Sequence, residues 1–556
     1  MHCRAKEEVS RRMKTASLQI RGADEICHLK KTTLEAFVQR IVKRKYVLIA
    51  VLLNFAPYAS AYTNLQPVQP LSVFDAVKRT LENNPNIMTA ELTTSATEKV
   101  IDIEEATFIT ALSGQASGGK YNRPQLFNGM PIGVKSDEQN YALTARKVLK
   151  TGQLLEASVS SASSASKYRG VDIDQTAQTV GGISVTFPLW RGRGERLASL
   201  PLNIAKQDYE TQSFTLRFQT GSAVANTLIA YWQFKGALEA LQTYVTAEDT
   251  SRKSLGLVTQ LIEADELPAS DLQLVEAQLS RRVGARIQGE QSVLRSWASL
   301  NEAIGAPSSI VQISNPATEF PIPISTQVEE IANVELEALA IELVQKRSDF
   351  LALKSQIKAD ELRAELSEDA IKPTLNLRLG AQSSVFEPTD SLFKAFDGKK
   401  YGPDLSVSLD YSYTLGMRAE KSRAAISRLT VQKSRVSLRE NERSQTVELA
   451  TSLKNFTQAA DRYQESERQL ELARLGLENE QKKLVLGLST VIDVIRLEDR
   501  LLSAELEVLE AKIALGSAVS RLMFSSGYLD SVIASGAIES GFDQLDRVVN
   551  SLITEN

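Results

Sequence analysis

The chain repeats itself over a long distance. Moved against its own sequence by 222 positions, Ser184, Val185, Gly194, Arg196, Arg217, Phe234, Asp271, Glu276, Leu279, Leu300 and Gly305 fall on Ser406, Val407, Gly416, Arg418, Arg439, Phe456, Asp493, Glu498, Leu501, Leu522 and Gly527, without a gap. Moved by 263, the earlier part also aligns: Leu81 on Val344, Asn86 on Asp349, Ile87 on Phe350 and Leu112 on Leu375. A repeat of this length sets the architecture before any local reading. It predicts two similar units, 71–305 and 334–527, on either side of a connector, 306–333, whose Pro307, Pro316, Pro321 and Pro323 cannot continue a helix. The competing explanation is two coiled-coil stretches alike only in composition, and the shared Gly, Arg and Phe positions weigh against it.

Each unit follows one plan. In the second, a short helix from Val334 to Lys346 gives way to Ser348-Asp349, which is placed to cap another helix towards Ile371, and Pro373 stops it. Leu375, Leu377 and Leu379 then alternate with polar residues, as do Leu405, Val407, Leu409, Tyr411 and Tyr413, which predicts a hairpin over 374–413. Beyond Gly416 the period becomes seven, through Leu449, Phe456, Tyr463, Leu470, Leu477 and Leu484, and no proline interrupts 417–486. One helix over that range would be ~105 Å long, followed by a return helix over 490–524 and a tail, 528–556. The first unit predicts strands within 111–190, a long helix over 195–263 and a return helix over 269–304. There Phe234, Leu241, Leu255 and Ile262 keep the heptad, Thr227 and Glu248 break it, and Pro201 falls near the start.

Lys43-Arg44-Lys45, an apolar run from Tyr46 to Phe55 and Ala59-Ser60-Ala61 have the order of an export signal cleaved after Ala61. Val42 sits where a GTG start codon would open a signal of ordinary length, so residues 1–41 are read as preceding the translated protein and 42–61 as the signal. A membrane anchor behind a cytoplasmic tail is the alternative, although the run is shorter than the ~20 residues a span needs. Both cysteines, Cys3 and Cys27, and both histidines, His2 and His28, precede Ala61. The remainder holds 52 Lys+Arg against 63 Asp+Glu, a net charge of −11. Such a chain builds no His or Cys metal, haem or nucleophile site, and its acidity argues against nucleic acid. No cofactor and no metal is expected. An enzyme would be confined to carboxylate or Lys chemistry, and Glu263, Asp265 and Glu266 read more simply as a solvated helix tip.

A helix of ~70 residues has no place in an ordinary compact domain, and a plain filament would not explain segments with one apolar side. Strands of that kind in an exported chain resemble lipid-facing barrel strands. One clear hairpin per unit gives about four strands, whereas closed membrane barrels start at about eight. An open edge in lipid would strand backbone N–H and C=O groups at several kcal/mol each, so copies must pool their strands. Tyr141, Leu143, Ala145, Leu155, Ala157 and Val159 around Lys150-Thr151-Gly152 form an additional hairpin, which either joins the wall or, as the preferred reading, extends above it.

Together these features resemble the TolC-type outer-membrane efflux channels, the outer membrane factors. The opening Leu71-Ser72-Val73-Phe74-Asp75-Ala76-Val77 and Asn83-Asn84-Pro85-Asn86-Ile87 look like that family's amino-terminal signature, and the likeness spans 71–527. The resemblance implies a fold mainly α with a membrane β-barrel: a homotrimer sharing twelve strands in the outer membrane above a coiled-coil α-barrel tunnel through the periplasm. Its partners would be outer-membrane lipid, a periplasmic adaptor (membrane fusion) protein and an inner-membrane RND, ABC or MFS pump. It would act as a passive exit duct, with no reaction of its own, in tripartite efflux or type I secretion.

Leu486-Gly487-Leu488-Ser489-Thr490 is similar to the family's periplasmic tip, which implies adaptor contact at Leu486, Gly487, Leu488 and Ser489, and an aperture role for Asp493, its counterpart Asp271 and the neighbouring Arg496. Arg496 stands where a second aperture aspartate is found in the best-known members, so a purely acidic ring is not implied. Read without the family, Thr490-x-x-Asp493 is a capping box and a carboxylate in a first helical turn. Trp190, Phe187, Tyr411 and Tyr413 meet the pattern of an interfacial aromatic belt, or of simple packing where strand meets helix. Phe386, Phe393, Phe396, Gly398, Tyr401 and Gly402 read as a loop at the outer mouth. The alternative from another class is a periplasmic coiled-coil scaffold that never spans lipid.

Overall fold

The computed structural model describes residues 70–127, 129–265, 267–306, 313–322, 336–388 and 399–535. The signal segment and what precedes it, Glu266, most of the connector, Phe393, Phe396 and Gly398 of the mouth loop, and the tail after 535 lie outside the described residues. The chain divides into two units at residues 69 and 70, and the elements below all belong to the second.

Side-chain caps fix where the first helices begin. Ser72 opens α1 (Val73–Asn83), its hydroxyl accepting from the Asp75 N–H while the Asp75 carboxylate accepts from the Ser72 N–H. Asn84 opens α2 (Pro85–Ala106), accepting from the N–H groups of Asn86 and Ile87, with Pro85 in the first turn where a missing N–H costs nothing. The signature residues of this region are thus, physically, two helix starts.

Four strands follow: β1 (Ala111–Phe127), β2 (Met130–Val148), β3 (Leu154–Tyr168) and β4 (Val171–Pro188). A single turn, α3 (Glu195–Ala198), leads into α4 (Leu200–Glu263), 64 residues long, and the return helix α5 (Ser270–Ile304). The interruption at Ser199 has a plain cause. Continued through it, the helix would drive the Pro201 ring against the Leu197 carbonyl. The chain goes on through α6 (Leu336–Lys346), α7 (Ser348–Asp369), β5 (Thr374–Glu387), β6 (Lys399–Ser412), α8 (Arg418–Val485), 68 residues long, α9 (Val491–Ser525) and α10 (Tyr528–Ser535). At 1.5 Å per residue α4 and α8 each run ~100 Å. Gly305 and Gly527, which the 222 shift pairs, have φ of +74° and +76° after α5 and α9, a backbone open to glycine with little strain.

The strands make one antiparallel sheet in the order β1-β2-β3-β4-β5-β6. This corrects the count of about four strands per chain. It also corrects the preferred placing of the hairpin around Lys150-Thr151-Gly152 as a separate extension. Its strands β2 and β3 lie between β1 and β4, paired on both sides over most of their length: Arg146 faces Ala111 and Glu156, and Glu156 faces Ser184. The β2–β3 turn sits at the helical end of the sheet, where a Cβ on Gly152 would come 3.0 Å from the Gly192 carbonyl.

The main core lies where α1, α4, α5, α8 and α9 meet, built on Tyr231, Phe234, Trp297, Leu300, Phe456 and Leu515. Tyr231 is wholly buried and ties in the connector, donating to the Leu71 carbonyl at 3.0 Å and accepting from the Thr318 N–H at 3.0 Å. The two residues that break the first heptad are satisfied by polar partners. Thr227 shares a 2.9 Å hydrogen bond with Thr80, and Glu248 accepts from Arg252 at 2.6 Å and Arg286 at 2.7 Å. A third expectation needs correcting: Arg347, not Ser348, is the N-cap of α7, and the Ser348 N–H is taken by the Asp530 carboxylate of α10 at 3.1 Å.

Candidate functional site

Strand pairing sorts the sheet's residues onto two faces, because directly paired residues point the same way. One face carries Leu112 of β1, Leu143 and Ala145 of β2, Ala157 and Val159 of β3, and Ile183 and Val185 of β4. Across β5 and β6 it continues through Leu375, Leu377 and Leu379, then Leu405, Val407, Leu409 and Tyr411. These side chains are largely bare: Leu112 is 73% exposed, Leu405 80% and Val407 74%. The opposite face is polar. There Arg146 pairs with Glu156 at 2.9 Å, Glu156 with Arg378 at 3.3 Å, and Arg378 donates to Ser184 at 3.1 Å, a chain of contacts from β2 to β5. Sequence reading placed Arg378 in the polar phase of its strand but missed this network. The available signal was a charge in the polar phase of three different strands.

The aromatic residues expected to form a belt lie at the sheet's helical end. Trp190 and Tyr411 meet edge to face with centroids 6.1 Å apart. Phe187 pairs with Leu377 and so shares the apolar face, and Tyr413 is exposed just past β6. The Trp190–Tyr411 contact packs the junction where strand meets helix. Among the described residues no helix is long and apolar enough to cross a membrane.

At the far end of the long helices, α8 closes on Gly487, whose φ is +67°. The Leu488 N–H reaches the Lys483 carbonyl at 2.9 Å and the Gly487 N–H reaches Leu484 at 3.0 Å, the paired bonds of a Schellman turn. Val485, Leu486 and Leu488 are left 88%, 70% and 74% exposed. Ser489 donates to Glu480 at 2.5 Å, and this bond, aided by Lys483, holds the Glu480 carboxyl below its ordinary pKa. Thr490 opens α9: its hydroxyl accepts from the Asp493 N–H at 3.3 Å and donates to the Asp493 carboxylate at 2.6 Å. Arg496 stands 3.6 Å from the same carboxylate. The cap is the Thr490 hydroxyl, and the Asp493 carboxylate bonds to that hydroxyl rather than to the Thr490 N–H, so the expected capping box is only half formed.

The other tip turns through Asp265, which takes φ +59° without being glycine. Asp271 stands in the first turn of α5, receiving the Ser270 hydroxyl at 3.3 Å. Val258 and Val275 of this tip pack with Val491 and Ile495 of the other in one small core. Just behind it Asp499 accepts from Arg282 at 2.6 Å and Gln278 at 2.7 Å, linking α9 to α5. Burial raises the pKa of neighbouring Glu498, against the pull of Arg282.

No protein-family model matches the chain, and no curated protein sequence does. Its fold is nonetheless that of solved outer-membrane channels. VceC from Vibrio cholerae is 13% identical at a TM-score of 0.62, with 82% of this chain and 96% of that one covered. The CmeC channel of Campylobacter jejuni is 12% identical at 0.60, covering 84% and 89%. The MtrE channel of Neisseria gonorrhoeae, solved in its open state, is 16% identical at 0.59, covering 82% and 88%. At these identities the shared property is the fold.

Proposed function

We propose that this chain is an outer membrane factor of the TolC type: a passive exit duct whose sheet, pooled between three copies, lines a hole in the outer membrane. Its helices form the tunnel beneath. No reaction is assigned to it. Transport energy comes from an inner-membrane pump through a periplasmic adaptor that meets the bare Leu486-Gly487-Leu488-Ser489 turn, and the aperture lies near Asp493, Asp271 and Arg496.

One observation carries this reading: a sheet with a continuous, exposed apolar face and a charged opposite face, joined at one end to helices of ~100 Å. In water such a face is an aggregation hazard, whereas against lipid tails it needs no further cover. The polar face, with Arg146, Glu156 and Arg378, suits a water-filled lumen. A periplasmic scaffold would leave the apolar face unexplained. Membrane extraction followed by planar-bilayer recording tests the proposal: the protein should resist carbonate, require detergent and conduct ions. Release by carbonate together with absence of current would overturn it.

A further inference from the structure

The fold determines how much wall each copy contributes. We infer that the barrel is built six strands at a time, β1 of one copy pairing with β6 of the next, so that three copies enclose eighteen strands rather than the twelve that the resemblance implies. This rests on the proposed function for the number three and for the lipid; the six strands rest on the sheet itself.

Three observations place β2 and β3 in the wall. First, the two sequence shifts, 263 before the sheet and 222 after it, differ by 41, so the first unit carries about that many extra residues between the counterparts of β5 and β6. β2 and β3, with their turn, span Met130–Tyr168 and occupy that position. Secondly, the apolar face crosses them without a break, through Leu143 and Val159, and the polar face crosses them through Arg146 and Glu156. Thirdly, their turn lies at the helical end beside Gly192, and from it both strands pair with their neighbours over at least fourteen residues, as far as Lys135 and Lys167.

The edges are β1 and β6. An even strand count makes them antiparallel when one copy follows another around a ring, which allows the ladder to continue. Unpaired, both edges would expose backbone groups to lipid. At ~4.8 Å between strands and a tilt of ~40°, eighteen strands enclose a barrel about 36 Å across between backbones, against about 24 Å for twelve. The outer end is then an open, porin-like vestibule, and selection falls to the helical end.

Lipid-side labelling tests the wall. Cysteines placed singly at Leu143, Val159, Leu379 and Val407 should be quenched alike by brominated phospholipid. Water exposure of a label at Leu143 or Val159, with lipid exposure at Leu379 and Val407, would overturn the inference and leave the channel intact. Cysteine scanning along residues 111–117 against 405–412 should give covalent ladders ending at three copies. Cross-links confined within one chain, or ladders ending at two, would overturn the eighteen-strand ring. Deletion of residues 130–168 leaves Gly129, Arg169 and Gly170 to turn β1 directly into β4. That variant should still assemble and conduct, but with an outer end that excludes polyethylene glycols admitted by the full chain. An unchanged size cut-off from the outer side would refute the wider wall, whereas loss of conductance in the full chain itself would refute the proposed function.

Discussion

Asp493 shows how one carboxylate comes to be read twice. The sequence offers Thr490-x-x-Asp493, and the structure has the Thr490 hydroxyl between the Asp493 N–H and its carboxylate, with Arg496 at 3.6 Å. Capping by the Thr490 hydroxyl is typically worth ~1 kcal/mol, and it leaves the role of the Asp493 carboxylate at the proposed aperture to be decided by current. Asp493→Ala is expected to raise single-channel conductance in planar bilayers, and unchanged conductance would confine the carboxylate to its local contacts with Thr490 and Arg496. Asp530 had no signal in the sequence. It lies past the return helix, yet it holds the Ser348 N–H near the buried Arg347, which itself donates to the Ser525 carbonyl at 2.7 Å at the end of α9. Burial raises the Asp530 pKa above the ordinary carboxylate value of 3.8, against its bonds to Ser348 and the charge of Arg347. The proton is therefore bound more tightly in the folded state. Its contribution to stability is complete below about pH 4 and is lost as pH rises through the raised pKa. Asp530→Asn should flatten that decline in the thermal midpoint measured against pH. An unaltered slope would mean that the carboxylate is not the titrating group.

At the scale of elements, the long helices were the most legible part of the chain. Leu449, Phe456 and Leu470 mark a seven-residue period through α8, and all three are buried. Periodicity summed over many turns outweighs any local ambiguity. The sheet was legible in its phase but not in its extent. The outward half of β3, Ser160-Ser161-Ala162-Ser163-Ser164, carries no apolar alternation, so its strand identity comes from partners in β2 and β4 that no local window contains. The helix crossings were also hidden, because glycine inside a helix reads only as a penalty. Here Gly516 of α9 lets α4 approach so closely that a Cβ would sit 2.8 Å from the Trp232 ring, and a Cβ on Gly236 would meet Ile513. Gly516→Val should therefore destabilise the folded chain by about 1–3 kcal/mol through overpacking, read as a lower denaturation midpoint in detergent. A midpoint at or above the parent's would show that the crossing is loose.

For the whole molecule, opening of the proposed tunnel would move α5 and α9 past one another at the tips, and the tips are joined by two kinds of contact. One is the small apolar core of Val258, Val275, Val491 and Ile495, which tolerates sliding. The other is directional: Asp499 grips Arg282 and Gln278 at 2.6 and 2.7 Å, and displacement breaks both bonds together. The Asp499 side chain is 45% exposed, so solvent screens the pair and its share of overall stability is small, on the order of 1 kcal/mol. Its effect on the balance between closed and open tips is proportionally larger, because a bias of ~1.4 kcal/mol changes that ratio tenfold. Arg282→Ala should accordingly leave assembly and the melting midpoint near those of the parent while increasing the open fraction in bilayer recordings. Glu478→Gln serves as the control, since it removes only the exposed Glu478–Lys482 pair within α8 and should leave the current unchanged. If both variants conduct like the parent, the tips are not held closed by this link, and the apolar core of Val258, Val275, Val491 and Ile495 is left as the contact between them.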